Sequence, residues 1–226
     1  VYLLALLILF VFKVYYHRPS EIGDLFLNVF MIQSWFPGKA LSYNYPAWSI
    51  AVEFFFYALF PLLFNKFYTR IGLKKLALPI ISIFVLSQII FHFGIFSEYY
   101  YGYPSVSHEA FFYFPPMHLS EFLIGNLAGL YFVKKRLNNS KNYDLWILLL
   151  IISLCILLYS NTYFNFHNGL LAIVFIPLII CISANKGLFT KISKFKSLIF
   201  LGEISYGVYI LQNPIFAWTR GILKDY

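Results

Sequence analysis

Residues 44–61 read Asn44-Tyr45-Pro46-Ala47-Trp48-Ser49-Ile50-Ala51-Val52-Glu53-Phe54-Phe55-Phe56-Tyr57-Ala58-Leu59-Phe60-Pro61. One carboxylate, Glu53, stands inside an apolar run that continues to Asn65, long enough to cross a bilayer as a helix. A charge at membrane depth costs several kcal/mol and is rare there without a use. Ser49, Glu53 and Tyr57 are spaced i, i+4, i+8, so a helix lines them up as one polar stripe, expected to face inward. Two readings of Glu53 stay open: a carboxyl that ties two helices together, or one that orients a base or binds a substrate hydroxyl. Pro46 suits a helix start and Trp48 a membrane interface. They, with Asn44, either position the helix or line a substrate site.

The rest of the chain has the same character. Its 226 residues are 61% hydrophobic and 12% charged, with mean hydropathy +0.74. A soluble domain carries about twice that charge, so the composition predicts an integral membrane protein of all-α class. Eight apolar segments are candidate spans: Val1–Tyr16, Ile22–Phe36, Pro46–Asn65, Leu76–Phe96, Phe111–Val133, Leu145–Tyr159, Gly169–Ala184 and Ser197–Trp218. The second and sixth are short enough to be tilted, re-entrant or interfacial. The loops between them cannot supply a soluble domain, so one membrane bundle over residues 1–226 is expected.

The net charge of +8 raises nucleic acid as a partner, but its distribution argues against one. Cations cluster in three short loops, Asn65–Lys75, Lys134–Lys141 and Lys186–Lys196, whereas Ser97–Glu109 and Ser160–Asn168 hold no Lys or Arg. That alternation is the positive-inside pattern: the basic loops read as cytoplasmic, and the Trp48 end of the third segment and the Arg220–Tyr226 tail as external. The rule is silent before residue 46. Cys155 and Cys181 both lie in apolar segments, so neither a disulfide framework nor a metal site is expected. The chain opens in mid-run at Val1-Tyr2-Leu3-Leu4, which reads as a missing N-terminus.

Two further constellations follow. In Pro115-Pro116-Met117-His118-Leu119-Ser120-Glu121-Phe122-Leu123-Ile124-Gly125-Asn126-Leu127-Ala128-Gly129, helical spacing places His118, Glu121, Gly125 and Gly129 on one face. His118 and Glu121 form either an acid–base pair or a structural one, and the glycines are expected to let a neighbouring helix approach closely. In Leu201-Gly202-Glu203-Ile204-Ser205-Tyr206-Gly207-Val208-Tyr209-Ile210-Leu211-Gln212-Asn213-Pro214, the residues Glu203, Tyr206, Tyr209 and Asn213 trace a second polar stripe. It is either a site or an aromatic interior. His17, His92, His108 and His167 stand apart and read as surface or interfacial residues.

These three blocks, in this order, resemble acyltransferase family 3, membrane proteins that O-acylate sugars. The likeness rests on Trp48-Ser49, Glu53-Phe54-Phe55-Phe56-Tyr57 and Phe60-Pro61, on Glu121-Phe122-Leu123-Ile124-Gly125, and on Leu201-Gly202-Glu203-Ile204-Ser205-Tyr206-Gly207-Val208-Tyr209. It implies a bundle of about ten helices, of which seven or eight are present here, in a bacterial inner membrane. It implies acyl-CoA, above all acetyl-CoA, as donor, with no metal, and a hydroxyl of a cell-surface polysaccharide or another exported glycan as acceptor. Ser49 and Glu53 match the family's Ser-x-x-x-Glu motif. With His118 and Glu121 they are the expected catalytic residues, and Trp48, Asn44, Tyr57 and Tyr206 the expected substrate contacts. The family's catalytic His and its Arg, and the arginine-rich motif that follows, have no counterpart here. His118 stands where many relatives carry Arg, and Gln212 where many carry His. The resemblance therefore implies an N-terminally truncated and inactive piece. Two rivals remain open: a transporter of lipid-linked sugar or polysaccharide, which predicts a repeat of broken helices not visible here, and a non-catalytic membrane remnant.

Overall fold

The computed structural model describes residues 1–19, 21–135, 141–160 and 163–224. Arg136 of the second basic loop and the last two residues of the tail lie outside them. The described residues are all-α, with one isolated bridge between Lys141 and Asn185 and no strand. Helices α1 (Tyr2–Tyr15), α2 (Ile22–Val29), α3 (Trp48–Leu63), α4 (Leu73–Ile95), α5 (Val106–Phe112), α6 (Leu119–Lys135), α7 (Asp144–Tyr159), α8 (Ala172–Ala184), α9 (Leu188–Ser193) and α10 (Lys196–Lys224) follow in order. They divide into two compact units, Val1–Ala58 with Tyr99–Pro115 and Phe200–Tyr226, and Leu59–Glu98 with Pro116–Ile199.

The first unit is built on α1. Tyr2, Ala5, Leu6 and Leu9 recur at helical spacing and bury one face of that helix against Tyr43, Ala47, Ile50 and Ile210. Polar side chains then pin backbone to backbone. The Tyr2 hydroxyl donates to Asn28 O at 2.6 Å, Gln33 Nε2 to Ala47 O at 2.8 Å, and Asn44 Nδ2 to Ile210 O at 3.2 Å. Lys39 bridges Glu21 at 2.6 Å and Asp24 at 2.9 Å. The loop around it is fixed from the other side, where Gly38 N and Ala40 N donate to the Glu109 carboxylate.

In the second unit, α4 packs on α6 through Leu76, Ile80 and Leu123, with Tyr68 in the same cluster. Asn126 Nδ2 donates to the Tyr68 hydroxyl at 3.2 Å, and Gln88 Nε2 to Asn168 O at 2.6 Å. The start of α7 is latched to the turn between α8 and α9. Asp144 accepts from Asn185 Nδ2, Leu188 N and Phe189 N, and Tyr143 N donates to Asn185 Oδ1. Asp144 thus caps α9 with a side chain from another helix. A Cβ at Gly187 would overlap its carboxylate.

Two segments differ from expectation. Ile22–Phe36 is not a span: α2 makes only two turns, because Gly23, Asp24 and Asn28 interrupt the apolar run and Met31 turns the chain at φ 58°. Phe111–Val133 is not one helix either. Pro115 and Pro116 lack N–H groups and disfavour helix just before them, so α5 ends at Phe112 and α6 starts at Leu119 after a tight 3-10 turn. Pro61 sits in α3 just before a π turn over Phe64–Tyr68. The stretches Tyr45–Tyr68 and Leu73–Ile95 are long and apolar enough to cross a membrane. Only 22% and 28% of their apolar windows is buried, whereas the core helix of a soluble protein would be mostly buried.

Burial opposes ionisation of Asp144, but the hydrogen bonds from Leu188, Asn185 and Phe189 outweigh it and hold the carboxyl below its usual range. The unfolded carboxyl titrates near about 3.9. The latch therefore stabilises fully above that pH, and its contribution is lost as pH falls through the lower native value. Asp144→Ala should lower the thermal midpoint in detergent at pH 7 and narrow the gap from wild type at pH 3. A midpoint unchanged at pH 7 would dismiss the latch.

Candidate functional site

In the first unit, α3 presents two faces. Ile50, Ala51 and Val52 are buried, while Glu53 and Tyr57 are exposed. The Ser49–Glu53–Tyr57 stripe is therefore open rather than enclosed. Helix α10 borders it. The Tyr209 hydroxyl lies 3.2 Å from Ser49 Oγ and donates to Pro46 O at 3.1 Å. Ser49 Oγ donates to the same Pro46 carbonyl, also at 3.1 Å. Tyr206 lies within electrostatic range of Glu53 and Tyr57. Asn213 Nδ2 reaches Tyr43 O at 3.4 Å, continuing the same face of α10.

The first and third sequence blocks, 160 residues apart at Ser49 and Tyr209, thus meet. Of the expected substrate contacts, Tyr57 and Tyr206 share this face. Asn44 is fully buried and ties α10 through Ile210 O, with its Oδ1 making no hydrogen bond among the described residues. The Trp48 ring packs on Tyr113 at 4.9 Å, and its carbonyl accepts from Ser34 Oγ. Tyr209, not Tyr206, makes the direct contact with Ser49.

The second unit holds the other pair. His118 closes the 3-10 turn and Glu121 lies in the first turn of α6, where a carboxylate is favoured by the helix dipole. His118 Nδ1 lies 2.8 Å from Glu121 Oε1, and His118 is 4% exposed. A carboxylate can only accept, so Nδ1 is the donor in this contact. The His167 ring stands 5.7 Å from that of His118. A cavity of about 280 Å³ opens beside them, lined by Glu121, His167, Phe166, Gly125, Gly169 and Phe175 among others.

The histidines are less isolated than their positions in the chain suggest. His167 joins the pair just described. His92 Nε2 accepts from Asn165 N and its Nδ1 bonds Gln88 O. His108 stacks on Phe112 at 4.1 Å and its Nδ1 lies 2.8 Å from the Tyr100 hydroxyl. For His92 and His108 one partner lies four residues away on the same helix, at Gln88 and Phe112, whereas Asn165 on His92 and His118 beside His167 come from distant turns that spacing does not reveal. The Gly125–Gly129 expectation is also corrected: a Cβ at either would meet nothing within 4 Å. These glycines border cavities rather than a tight helix contact.

All of residues 1–226 match the family model described as an acyltransferase domain. The chain belongs to acyltransferase family 3. No curated protein and no solved structure matches it. As a member of this membrane-bound acyltransferase family it works with an acyl donor and a hydroxyl acceptor. Among the described residues no three His, Cys, Asp or Glu side chains converge as a metal site.

One glycine controls the His118–Glu121 geometry. Gly169 has φ +76°, and a Cβ there would overlap the Glu121 side chain. Gly169→Ala should destabilise the protein by about 1–3 kcal/mol, from backbone strain and overpacking, and displace the carboxylate from His118. Thermal unfolding measures the first effect and the His118 imidazole NMR shifts the second. Unchanged values for both would show that Gly169 does not control the His118–Glu121 contact.

Proposed function

We propose that this protein transfers an acyl group, acetyl in the first instance, from acyl-CoA to a hydroxyl of an exported glycan at the membrane. The observation that carries the reading is the Ser49–Tyr209 contact, which assembles the Ser-x-x-x-Glu motif and the Tyr-rich stripe of α10 into one polar face. The acceptor O–H gives its proton to an imidazole base, its oxygen attacks the thioester carbonyl, and the C–S bond breaks to release the CoA thiolate, which takes up a proton.

Glu53 orients or charge-balances the base, and Ser49 hydrogen-bonds the acceptor. His118 and Glu121, in the second unit, are a separate candidate acid–base pair, with Nδ1 2.8 Å from Oε1. Tyr57, Tyr206, Trp48 and Asn44 shape or support the acceptor site. The three basic loops lie on the donor side, which the charge pattern makes cytoplasmic. The two spans and the charge pattern support an inner-membrane location.

Labelled acetyl-CoA and membranes carrying the protein test this directly. The native protein should label glycan, and Glu53→Gln, present at equal level, should lose transfer by about a hundredfold or more, the usual scale for a proton-transfer participant. His118→Gln should also lower transfer if the His118–Glu121 pair takes part in the chemistry. Equal transfer by Glu53→Gln would demote Glu53 to a structural tie. No transfer from the native protein would move the reading to another donor or to transport.

A further inference from the structure

Beyond the polar face of α3 and α10 and the His118–Glu121 pair, the second unit holds a charged cavity that neither uses. It has a volume of about 750 Å³ and is lined by Arg70, Gly72, Lys74, Lys75, Lys134 and Lys135, together with Ile71 and Leu73. Five cations from two stretches of chain far apart in sequence surround one space, and no carboxylate shares its wall. None of the five forms an ion pair among the described residues, where the bridges involve Lys39 and His118.

The helix ends make the arrangement more specific than a basic loop. Lys134 and Lys135 occupy the last turn of α6, where cations suit the dipole. Lys74 and Lys75 occupy the first turn of α4, where they do not. That turn holds no acidic residue, and its N-cap, Gly72, offers no side chain. The Gly72 carbonyl takes Lys75 N and Leu76 N, and the residues that carry the first two N–H groups of this 23-residue helix, Leu73 and Lys74, line the same space as the lysines. A bound anion would cap the helix and offset the crowded positive charge in one step. Topology signalling needs lysines in this loop, but it requires neither a cavity nor a helix start without a side-chain cap at its wall. The walls are held by the α4–α6 core of Leu76, Ile80 and Leu123.

We propose that this cavity binds a phosphate-bearing ligand. Its chemistry fits two sources: a soluble nucleotide phosphate, such as acyl-CoA carries, or an anionic phospholipid headgroup. Only the nucleotide source draws on the acyl-transfer reading, and binding is read without any transfer.

The test is amine-acylating footprinting of the native protein in nanodiscs, with peptide mass spectrometry of each lysine. Adenosine 3′,5′-bisphosphate is the soluble probe, added to phosphatidylcholine nanodiscs, and phosphatidylglycerol nanodiscs without nucleotide are the lipid probe. Protection of Lys74, Lys75, Lys134 and Lys135, but not of Lys191, Lys194 and Lys196, is the expected result. Protection by the bisphosphate identifies the soluble source; protection only by phosphatidylglycerol identifies the headgroup. No protection, or equal protection of every basic loop, overturns the proposal. As a second reading on the winning probe, Lys134→Gln with Lys75→Gln should weaken binding by roughly tenfold or more, and Lys134→Arg with Lys75→Arg should retain it. Glutamine variants that are folded and bind as wild type would also overturn it.

Discussion

In hydrocarbon a polar group has no water to fall back on, so a buried one is costly unless the protein itself supplies a partner. That requirement shapes both units. It restricts the backbone to helix wherever the chain is apolar. It also makes connectors of several buried polar side chains, whose partners come from the protein. Asn44 joins the approach to α3 with α10, Gln33 reaches Ala47, and Tyr2 reaches the end of α2. Gln88 and Asn126 do the same in the second unit. Apolar contacts are non-directional and allow helices to slide; these bonds fix which turn faces which.

The same constraint explains what the sequence could and could not reveal. The span from Pro46 is legible because its one carboxylate breaks an otherwise uniform run at helical spacing. α4 is legible from length alone. The split between α5 and α6 hinges on Pro115 and Pro116, which a hydropathy average passes over because their neighbours are aromatic. α2 fails as a span because Asp24 and Asn28 have partners in the following loop, Lys39 for one and Ser42 for the other. Those partners are remote enough in sequence to escape any local pattern.

Glycine shows where spacing misleads. Gly125 and Gly129 have the four-residue interval of a helix–helix contact, yet each has open space where a Cβ would go. Gly169 and Gly187 have no pattern, and there a Cβ would collide with Glu121 and Asp144. In both cases the crowding side chain is a carboxylate anchored elsewhere, on His118 and on the cap of α9. The need for glycine at these positions is thus set by hydrogen bonds made by another residue, which is why periodicity pointed to the wrong pair. His167 and Tyr209 follow the same logic, since each acquires its neighbour only through tertiary structure.

The hydroxyl face in the first unit bears on which role Ser49 fills in the proposed reaction. An acyl-enzyme serine needs a base on its proton. Here Ser49 Oγ and the Tyr209 hydroxyl share the Pro46 carbonyl as acceptor and lie 3.2 Å from each other, so the partners of Ser49 are a carbonyl and a phenol rather than a base. A carbonyl oxygen has two lone pairs and can take both. Glu53 one turn further on is an acceptor as well. Hydroxyl and carboxyl oxygens in a row suit a ligand that arrives with O–H groups, such as a sugar. They do not match one whose carbonyl needs to be attacked by serine. Ser49 therefore fits the holding of an acceptor hydroxyl, with the proton removed by an imidazole rather than passed through the serine.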